Sequence, residues 1–397
     1  MDFNTIRANQ TWNENGIIIE INSLCAYLEQ VRDLRKPKGI RYSLANLILL
    51  ILLAKMGGAD NPTAIAEWIE HRKEGLIEML KLPRKEVPHH STIRRTLQEI
   101  INPEQFEAII GAYQQQRAKG KHELVISIDG KTLRGTIPEG EMRGVHLLSA
   151  FLPGQGLVLM EVAVDQKENE IVAAPQILKV LDLKGAIVIA DAMHAQREVS
   201  IQIVKAGGNF VWTIKGNQPR TEWAIQRLFA TDVGYLKQDI PLSPGVQFAC
   251  LPTSKAHGRI EKRSILVSQE LNSYLNWPHV AQVFRIEREI WHAHATRRTR
   301  QVVYGLTSLT PQQASPQRLL HLNRNYWGIE SGLHYRRDVT LHEDATRTVV
   351  GHAGHILAIL NNLVVSLCLS NGWKNLAKAR RLFDAKPDQA FRLICQA

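Results

Sequence analysis

The stretch ELVISIDGKTLRG at residues 123–135 decides which fold this chain of 397 residues adopts. Its apolar run, interrupted only by Ser127, is typical of a buried strand, and Asp129 ends that strand. Strand alternation places Ser127 and Asp129 on one face, while Gly130 permits a sharp exit. An acid at this position lies at the rim of a sheet, where a site is half-buried and still reachable.

A second apolar run, AIVIAD at 186–191, also ends in an acid, Asp191. Either acid alone is typical of a turn or a helix cap. Two strand-terminal acids in one fold favour a functional site instead. The adjacent GKT at 130–132 does not indicate a phosphate loop, because that motif needs a glycine where Val125 stands.

The pattern around these runs predicts an α/β core. Strands are predicted at 124–129, 145–151, 157–164, 186–191 and 210–215, with helices near 173–181 and 196–206. Three adjacent strands suit an antiparallel meander, and strands separated by helices suit parallel crossovers. Further β-like runs at 216–310 are typical of an insertion, and helical periodicity returns at 316–337 and 354–369.

Residues 19–117 show helical periodicity. Within them, PHHSTIRRTLQEI (88–100) predicts a helix capped by Ser91. The longest apolar run, Leu47 to Ala54, has 8 residues, whereas a membrane-spanning helix needs about 20. We therefore expect a buried helix there and no membrane association. The polar opening residues also predict no signal peptide, so a cytoplasmic protein is expected.

The chain carries 49 Lys and Arg against 38 Asp and Glu, a formal charge of +11. This balance favours an anionic partner, with nucleic acid ahead of a membrane surface. The four cysteines form no Cys-x-x-Cys pair, which argues against a disulfide scaffold and a zinc ribbon. His342, His352 and His355 lack the HExxH pattern, so a zinc site is disfavoured as well.

A third candidate acid, Glu330, lies in NRNYWGIESGLHYRRD (323–338), which predicts a helix. His334 and Arg337, 4 and 7 residues further on, share its helical face. An exposed ion-pair face is the alternative interpretation. Spacing alone does not exclude three rival acids nearby, Asp338, Glu343 and Asp344. Three carboxylates fit phosphoryl transfer through two divalent ions about 3.5–4 Å apart, since Mg²⁺ and Mn²⁺ prefer oxygen ligands.

Three segments together resemble the DDE transposases of bacterial insertion sequences, in particular the ISAs-type, H-repeat-associated group. They are VISIDGKTLRG (125–135), IVIADAMHAQ (187–196) and YWGIESGLHYRRDVTLHEDATR (326–347). KENEI at 167–171, TIKGNQP at 213–219 and HGRIEKR at 257–263 support the match. The resemblance extends in order over residues 34–370.

The resemblance implies an α/β fold with a ribonuclease-H-like catalytic core, in which helices flank a mixed sheet. The resemblance also implies a β-rich insertion within this core and an N-terminal all-helical domain. Four segments are expected: a helical, DNA-binding domain at 1–118, the first part of the core at 119–225, the insertion at 226–312, and the C-terminal helical part with the third acid at 313–397.

The resemblance also implies a DNA transposase, which binds terminal inverted repeats, cleaves phosphodiester bonds and transfers 3′-hydroxyl strands. Asp129, Asp191 and Glu330 match the family's catalytic and metal-binding acids, holding Mg²⁺ or Mn²⁺, with two ions per site. The expected partner is double-stranded DNA, bound by a homodimer at the bacterial nucleoid. Two alternatives stay open: a domesticated DNA-binding protein, and a metal-dependent nuclease without strand transfer.

The sequence departs from the wider family near the third acid. Tyr and Arg commonly stand 7 and 4 residues before the glutamate, where this chain has Asn323 and Tyr326. Tyr326 also replaces a His that is common in the closer group. Arg337 occupies the downstream basic position, so it and Arg324 are the expected phosphate contacts here.

Basic residues elsewhere are candidate DNA contacts. Arg94 and Arg95 lie early in the Ser91 helix, like base-reading residues of a recognition helix, although a solvated basic helix is an equal alternative. The other candidates are Lys131, Arg134, Lys215, His257, Arg259, Arg263, Arg297, Arg298 and Arg337, with Lys262 and Arg300 in the same clusters. Trp212, Trp291 and Trp327 are interpreted as core residues rather than base-stacking ones.

Overall fold

The computed structural model describes residues 10–12, 18–20, 23–38, 40–82, 85–120, 123–164, 169–238, 240–256, 258–292 and 298–396. The chain divides into two compact units. The first comprises Met1–Lys121, Gly130–Asn169 and Glu330–Ala397, and the second comprises His122–Asp129 and Glu170–Ile329. Two of the expected DNA contacts, His257 and Arg297, lie outside the described residues. The four expected domain segments stay a prediction.

The predicted core strands and the two helices between them occur in the predicted order, but the helix Pro219–Gln238, in the stretch expected to be β-rich, was not predicted. The strands are β1 Gln10–Trp12, β2 Ile18–Glu20, β3 Val125–Thr132, β4 His146–Leu152, β5 Leu157–Val164, β6 Ile187–Ala190, β7 Asn209–Ile214, β8 Val246–Cys250, β9 Ser254–Ala256, β10 Arg259–Ser268, β11 Gln282–His292 and β12 Arg298–Thr307. The α-helices are α1 Leu24–Leu28, α2 Leu44–Met56, α3 Pro62–His71, α4 Lys73–Leu80, α5 His90–Arg95, α6 Pro103–Ala118, α7 Glu170–Val180, α8 Arg197–Lys205, α9 Pro219–Gln238, α10 Pro316–Ile329, α11 Ala353–Ser370, α12 Leu376–Ala385 and α13 Pro387–Gln396.

The N-terminal part of the first unit is helical, as predicted. The apolar run at 47–54 lies in α2, whose residues are all buried, so the expected buried helix is confirmed. Within the described residues, one helix, α11, is long and apolar enough to cross a membrane by length and composition. Because 83% of that stretch is buried inside the protein, α11 is a core helix of the first unit.

The predicted cap of the Arg94–Arg95 helix is wrong. Helix α5 begins at His90, and His89 is its cap residue, because the His89 ring accepts a hydrogen bond from the backbone N–H of Ser91. The Ser91 hydroxyl instead bonds the same ring at 2.8 Å. Helix α5 ends at Arg95 and continues as one π-helical turn over Thr96–Ile100, so both arginines lie at the end of α5 and are exposed.

In the first unit, β4 and β5 pair in antiparallel register, with Ser149 opposite Glu161. Strand β3 is the other neighbour of β4, which gives the order β5-β4-β3 and confirms three adjacent strands. Helices α6 and α11 contact β5. The buried side chains of these elements form the core of the first unit.

In the second unit, the sheet order is β3-β6-β7-β12-β11-β10-β8. Strands β3, β6 and β7 are parallel, and α7 and α8 lie in their connections, so the predicted crossovers are confirmed. The remaining strands are antiparallel, and β12 pairs with β7 through Tyr304 opposite Ile214. The β-rich insertion therefore continues the core sheet from its β7 side.

A buried ion-pair network crosses the first unit. The Arg337 side chain is 0% exposed, and its guanidinium lies 2.5 Å from Glu161 and 2.8 Å from Glu343. The Ser149 hydroxyl donates to Glu161 at 2.5 Å, and the Asn362 amide donates to it at 2.8 Å. Arg337 is thus a core residue, which corrects its assignment as a DNA contact, because a fully buried guanidinium is closed to phosphate.

Charge compensation sets the ionisation of this network. Burial opposes the charge on Glu161, but Arg337 and the hydrogen bond from Ser149 outweigh it and lower the pKa of Glu161. Burial, followed by the nearby Glu161 charge, raises the pKa of Glu107 well above its ordinary value. Glu107 still accepts a hydrogen bond from the Glu161 backbone N–H at 2.7 Å. The directions of these two pKa shifts favour one ionised and one neutral carboxyl group in the pair.

Replacing Arg337 with Met tests the network. We expect the free energy of unfolding to fall by about 3–5 kcal/mol, because the change leaves Glu161 charged and buried without its cation. Urea unfolding followed by circular dichroism measures the change. Arg381→Met, at an exposed position of the first unit, is the control and should shift stability by less than about 0.5 kcal/mol. Equal losses in both variants would contradict the network's role.

Glu107→Gln tests the neutral carboxyl group. Because the folded-state pKa of Glu107 is raised, its contribution to stability is complete below the unfolded-state pKa and is lost as pH rises through the folded-state pKa. The variant is neutral at every pH, so we expect it to gain stability over the wild type as pH rises above about 4.5. Urea unfolding from pH 4 to pH 9 measures the difference, and a pH-independent difference would contradict the assignment.

Candidate active site

Asp129 and Asp191 lie side by side at one edge of the second unit's sheet. Strands β3 and β6 are parallel neighbours in which Ile128 is opposite Ala190. Asp191 directly follows the end of β6, whereas Asp129 lies within β3, which continues to Thr132, so the prediction that Asp129 ends its strand is wrong. Both residues are partly exposed. In parallel α/β sheets, ligands bind outside the carboxyl ends of the strands. The chain therefore places two carboxylates where a substrate can reach them.

Tyr326 faces this pair from helix α10. The helix packs on the sheet through apolar side chains, with Tyr326 against the same cluster, and its hydroxyl donates to Asp129 at 3.5 Å. Burial, followed by the charges of Asp129, Asp191 and Glu170, raises the pKa of Tyr326. Tyr326 therefore stays protonated as a hydrogen-bond donor. The sequence showed it only as a departure from the family pattern.

Lys215 pairs with the second acid. Its ammonium lies 3.1 Å from Asp191, and both side chains are substantially exposed. The turn that follows Lys215 is held in place by two hydrogen bonds. The side-chain amides of Asn217 and Gln218 donate to the backbone carbonyls of Ala192 and Ala195. An exposed ion pair of this kind is worth at most about 1 kcal/mol, so Lys215 can exchange Asp191 for an incoming anion.

Glu170 is a third carboxylate of the second unit near these groups. It begins α7 and lies 3.1 Å from the Nε2 atom of His194, whose side chain is buried. Its charge acts on Tyr326 together with those of Asp129 and Asp191. Glu170 lies in KENEI (167–171), one of the segments that match the family. The sequence alone indicated no role for it, although an acid in a matching segment was a signal.

Glu330 begins the C-terminal segment of the first unit. It is exposed and starts a π-helical turn, Glu330–His334, that directly follows α10. His334 stays near Glu330, with a ring nitrogen within 4.8 Å of a carboxylate oxygen. Arg337 is instead fully buried against Glu161, so the expectation that it shares the face of Glu330 is wrong. The π-helical turns at 330–334 and 336–340 change the residue spacing from that of an α-helix.

The rival acids Asp338, Glu343 and Asp344 also cluster, with one oxygen of each within 4.8 Å of the others. Side-chain cations already lie among them. The Lys131 ammonium lies 2.6 Å from Asp338 and 3.3 Å from Asp344, and Arg337 binds Glu343. This compensation disfavours a metal site here. It also corrects the assignment of Lys131 to DNA, because its side chain is only 8% exposed.

The remaining basic candidates differ in accessibility. Arg134 is 80% exposed and lies 3.8 Å from Asp344, while Arg94, Arg95 and Arg259 are exposed. Three others bind carboxylates: the partly buried Arg263 binds Glu261 of its own strand, and the exposed Arg298 and Arg300 bind Glu289 and Glu287 of the neighbouring strand. The exposed arginines are better candidates for phosphate than Arg263.

Comparison with known proteins identifies related sequences. The family profile described as "Transposase DDE domain" matches residues 120–367, and the profile "DDE_Tnp_1-associated" matches residues 25–114. "H repeat-associated putative transposase YhhI" of Escherichia coli (strain K12) is 26% identical over 380 residues, covering 94% of this chain and 97% of the relative. "Putative transposase YncI" of Escherichia coli O157:H7 is 28% identical over 359 residues, covering 88% of each chain.

Two further matches complete the comparison. "Uncharacterized protein in dhlA 3'region" of Xanthobacter autotrophicus is 32% identical over 266 residues, covering 66% of this chain and 86% of the relative. A cryo-EM structure of the piggyBac transposase synaptic complex with hairpin DNA has a TM-score of 0.42 and 10% identity, covering 94% of this chain and 77% of that one. The sequence matches confirm the resemblance to the H-repeat-associated group.

Proposed function

This chain belongs to the DDE transposase family, and we propose that it is the DNA transposase of an insertion sequence. In this proposal, it binds the element's terminal inverted repeats, cleaves phosphodiester bonds at the ends and joins the 3′-hydroxyls to target DNA. The observation that carries the proposal is the pair Asp129 and Asp191, held together by the parallel register of β3 and β6.

We assign the catalytic and metal-binding roles to Asp129, Asp191 and Glu330. Their carboxylate oxygens suit Mg²⁺ or Mn²⁺, and the partial exposure of the first two, with the exposure of the third, leaves them reachable. Two divalent ions would polarise the scissile phosphate and favour ionisation of the attacking water or 3′-hydroxyl. The oxygen ligands and their accessibility support the assignment of the metal to these three acids. Asp338 and Asp344 are weaker candidates, because the Lys131 ammonium already pairs with both carboxylates.

The chain's own groups prepare this site. The Tyr326 hydroxyl orients the Asp129 carboxylate through its hydrogen bond. When Lys215 leaves Asp191 and binds a phosphate group instead, it neutralises negative charge of the incoming DNA strand beside the acids. The hydrogen bonds from Asn217 and Gln218 keep the two loops together at this edge. These residues position substrate and acids, while the acids supply the metal ligands.

DNA binding is assigned to the exposed basic residues. Arg94 and Arg95 at the end of α5, with Arg134 and Arg259, are accessible to a duplex. A net charge of +11 supports a polyanionic partner. Transposition requires two element ends held together, so we propose a homodimer on DNA, acting in the bacterial cytoplasm at the nucleoid.

Cleavage of the element's own terminal repeat tests the catalytic acids. With Mg²⁺ or Mn²⁺, and not with EDTA, we expect nicking at the repeat boundary and joined products on gels of labelled duplex. Asp129→Asn and Glu330→Gln should reduce cleavage by at least about a hundredfold, because each removes a ligand from metals that stabilise the transition state by several kcal/mol. DNA binding should stay nearly unchanged.

The matched control is Glu139→Gln, at an exposed acid of the first unit, which should cleave normally. Normal cleavage by Glu330→Gln would show that the third acid is wrong. Cleavage without joining from a pre-cut end would favour the nuclease, and specific binding without cutting would favour the domesticated binding protein.

Replacing Arg94 and Arg95 with Ala tests base recognition. If they contact base edges, affinity for the terminal repeat should fall by about 1–3 kcal/mol per contact, with a smaller loss on random DNA. Filter binding at fixed salt measures both affinities. Arg381→Ala, at an exposed arginine of the same unit, is the control. Equal loss on both DNAs would make Arg94 and Arg95 phosphate contacts instead.

A further inference from the structure

The second unit contains a cavity of about 660 Å³ whose lining includes Trp223, Tyr274, Arg197 and Arg220. We propose that this cavity, the Trp223 pocket, binds an unpaired nucleotide of DNA, with the base stacked on Trp223 and Tyr274 and the phosphate held by Arg197 and Arg220. The inference rests on the proposed action on DNA and adds a binding site distinct from the acids.

The aromatic lining is the first argument. Trp223 is 55% exposed and Tyr274 is 68% exposed, although large aromatic side chains usually bury most of their surface. Arg227, one helical turn after Trp223, lies 5.2 Å over its ring and supports it. Base stacking on such rings stabilises bound single strands and tolerates any sequence.

Charge is the second argument. Among the described residues that line the Trp223 pocket, two are arginines and none is acidic. Arg197 lies 5.4 Å over the buried ring of Trp277, so its guanidinium is held by packing rather than by a carboxylate in the pocket lining. An apolar peptide would leave these two charges without a partner, whereas a nucleotide offers a phosphate to them.

The position of the pocket is the third argument. Arg197 begins α8, six residues after Asp191, and Pro219 begins α9, four residues after Lys215. The two loops that lead to these helices are joined by the hydrogen bonds of Asn217 and Gln218 to the backbone near Asp191. The elements that line the pocket therefore begin next to the candidate active edge of the same unit.

A duplex hides the faces of its bases, so only an unpaired base can stack on both aromatic rings. Unpaired nucleotides arise where a strand is cut at an element end, next to the acids. We therefore assign the pocket to single-stranded DNA rather than to a duplex or a protein.

Fluorescence anisotropy of the full chain in EDTA tests the assignment, because binding is then measured without cleavage. We expect the double variant Trp223→Ala, Tyr274→Ala to bind labelled oligothymidylate about tenfold more weakly than the wild type, with unchanged affinity for a blunt duplex. The single variant Trp223→Phe keeps an aromatic ring, so it should retain most of the wild-type affinity for oligothymidylate. Phe248→Leu, at an exposed aromatic residue outside the pocket, should bind like the wild type.

Unchanged oligothymidylate binding by the double variant, or an equal loss on the blunt duplex, would overturn the assignment. Arg220→Gln gives a second test that spares the aromatic packing. It should reduce the slope of log affinity against log salt by about 0.7 for oligothymidylate, as expected for one lost phosphate contact; an unchanged slope would remove Arg220 from the site. Selective loss of single-strand binding in a protein that cuts no terminal repeat would support the pocket while contradicting the proposed transposase.

Discussion

The parallel pairing of β3 and β6 is the constraint on which the candidate site depends. Because Ile128 lies opposite Ala190, the residues that follow them are neighbouring acids, Asp129 within β3 and Asp191 just after β6. The site needs no special loop conformation to bring Asp129 and Asp191 together. Helix α10 then packs on this sheet and carries Tyr326 to Asp129, so ordinary core packing orients the first carboxylate.

Charge compensation separates structural acids from candidate catalytic ones. Glu161 and Glu343 are buried against Arg337, and Asp338 and Asp344 share the ammonium of Lys131. Buried charges persist only when they are paired in this way. Asp191 differs, since its one ion pair in the described part of the chain is with an exposed lysine that can leave. Asp191 is therefore a better candidate for metal binding than Asp338 or Asp344, whose shared lysine is nearly buried.

Much of this arrangement could be predicted from local sequence. The strands that carry or lead to Asp129 and Asp191 follow from short apolar runs, because a buried strand is recognisable from its own residues. The continuation of β3 past Asp129 to Thr132 was not predicted. The burial of Arg337 could not be predicted, since its partner Glu161 is 176 residues away in the chain and a basic residue on a helix is usually exposed. The pairing of Lys131 with Asp344, 213 residues apart, was hidden for the same reason. The cap at His89 depends on an imidazole, which is outside the usual capping residues.

The central claim is that Asp129, Asp191 and Glu330 hold the same divalent ions. Iron(II) with ascorbate tests it directly, because iron that replaces Mg²⁺ generates radicals that cut the backbone next to its ligands. We expect three groups of cuts, near residues 129, 191 and 330, all suppressed by excess Mg²⁺ and weakened together in Asp129→Asn. Cuts confined to residues 338–344 would contradict it and place the metal in the cluster around Lys131.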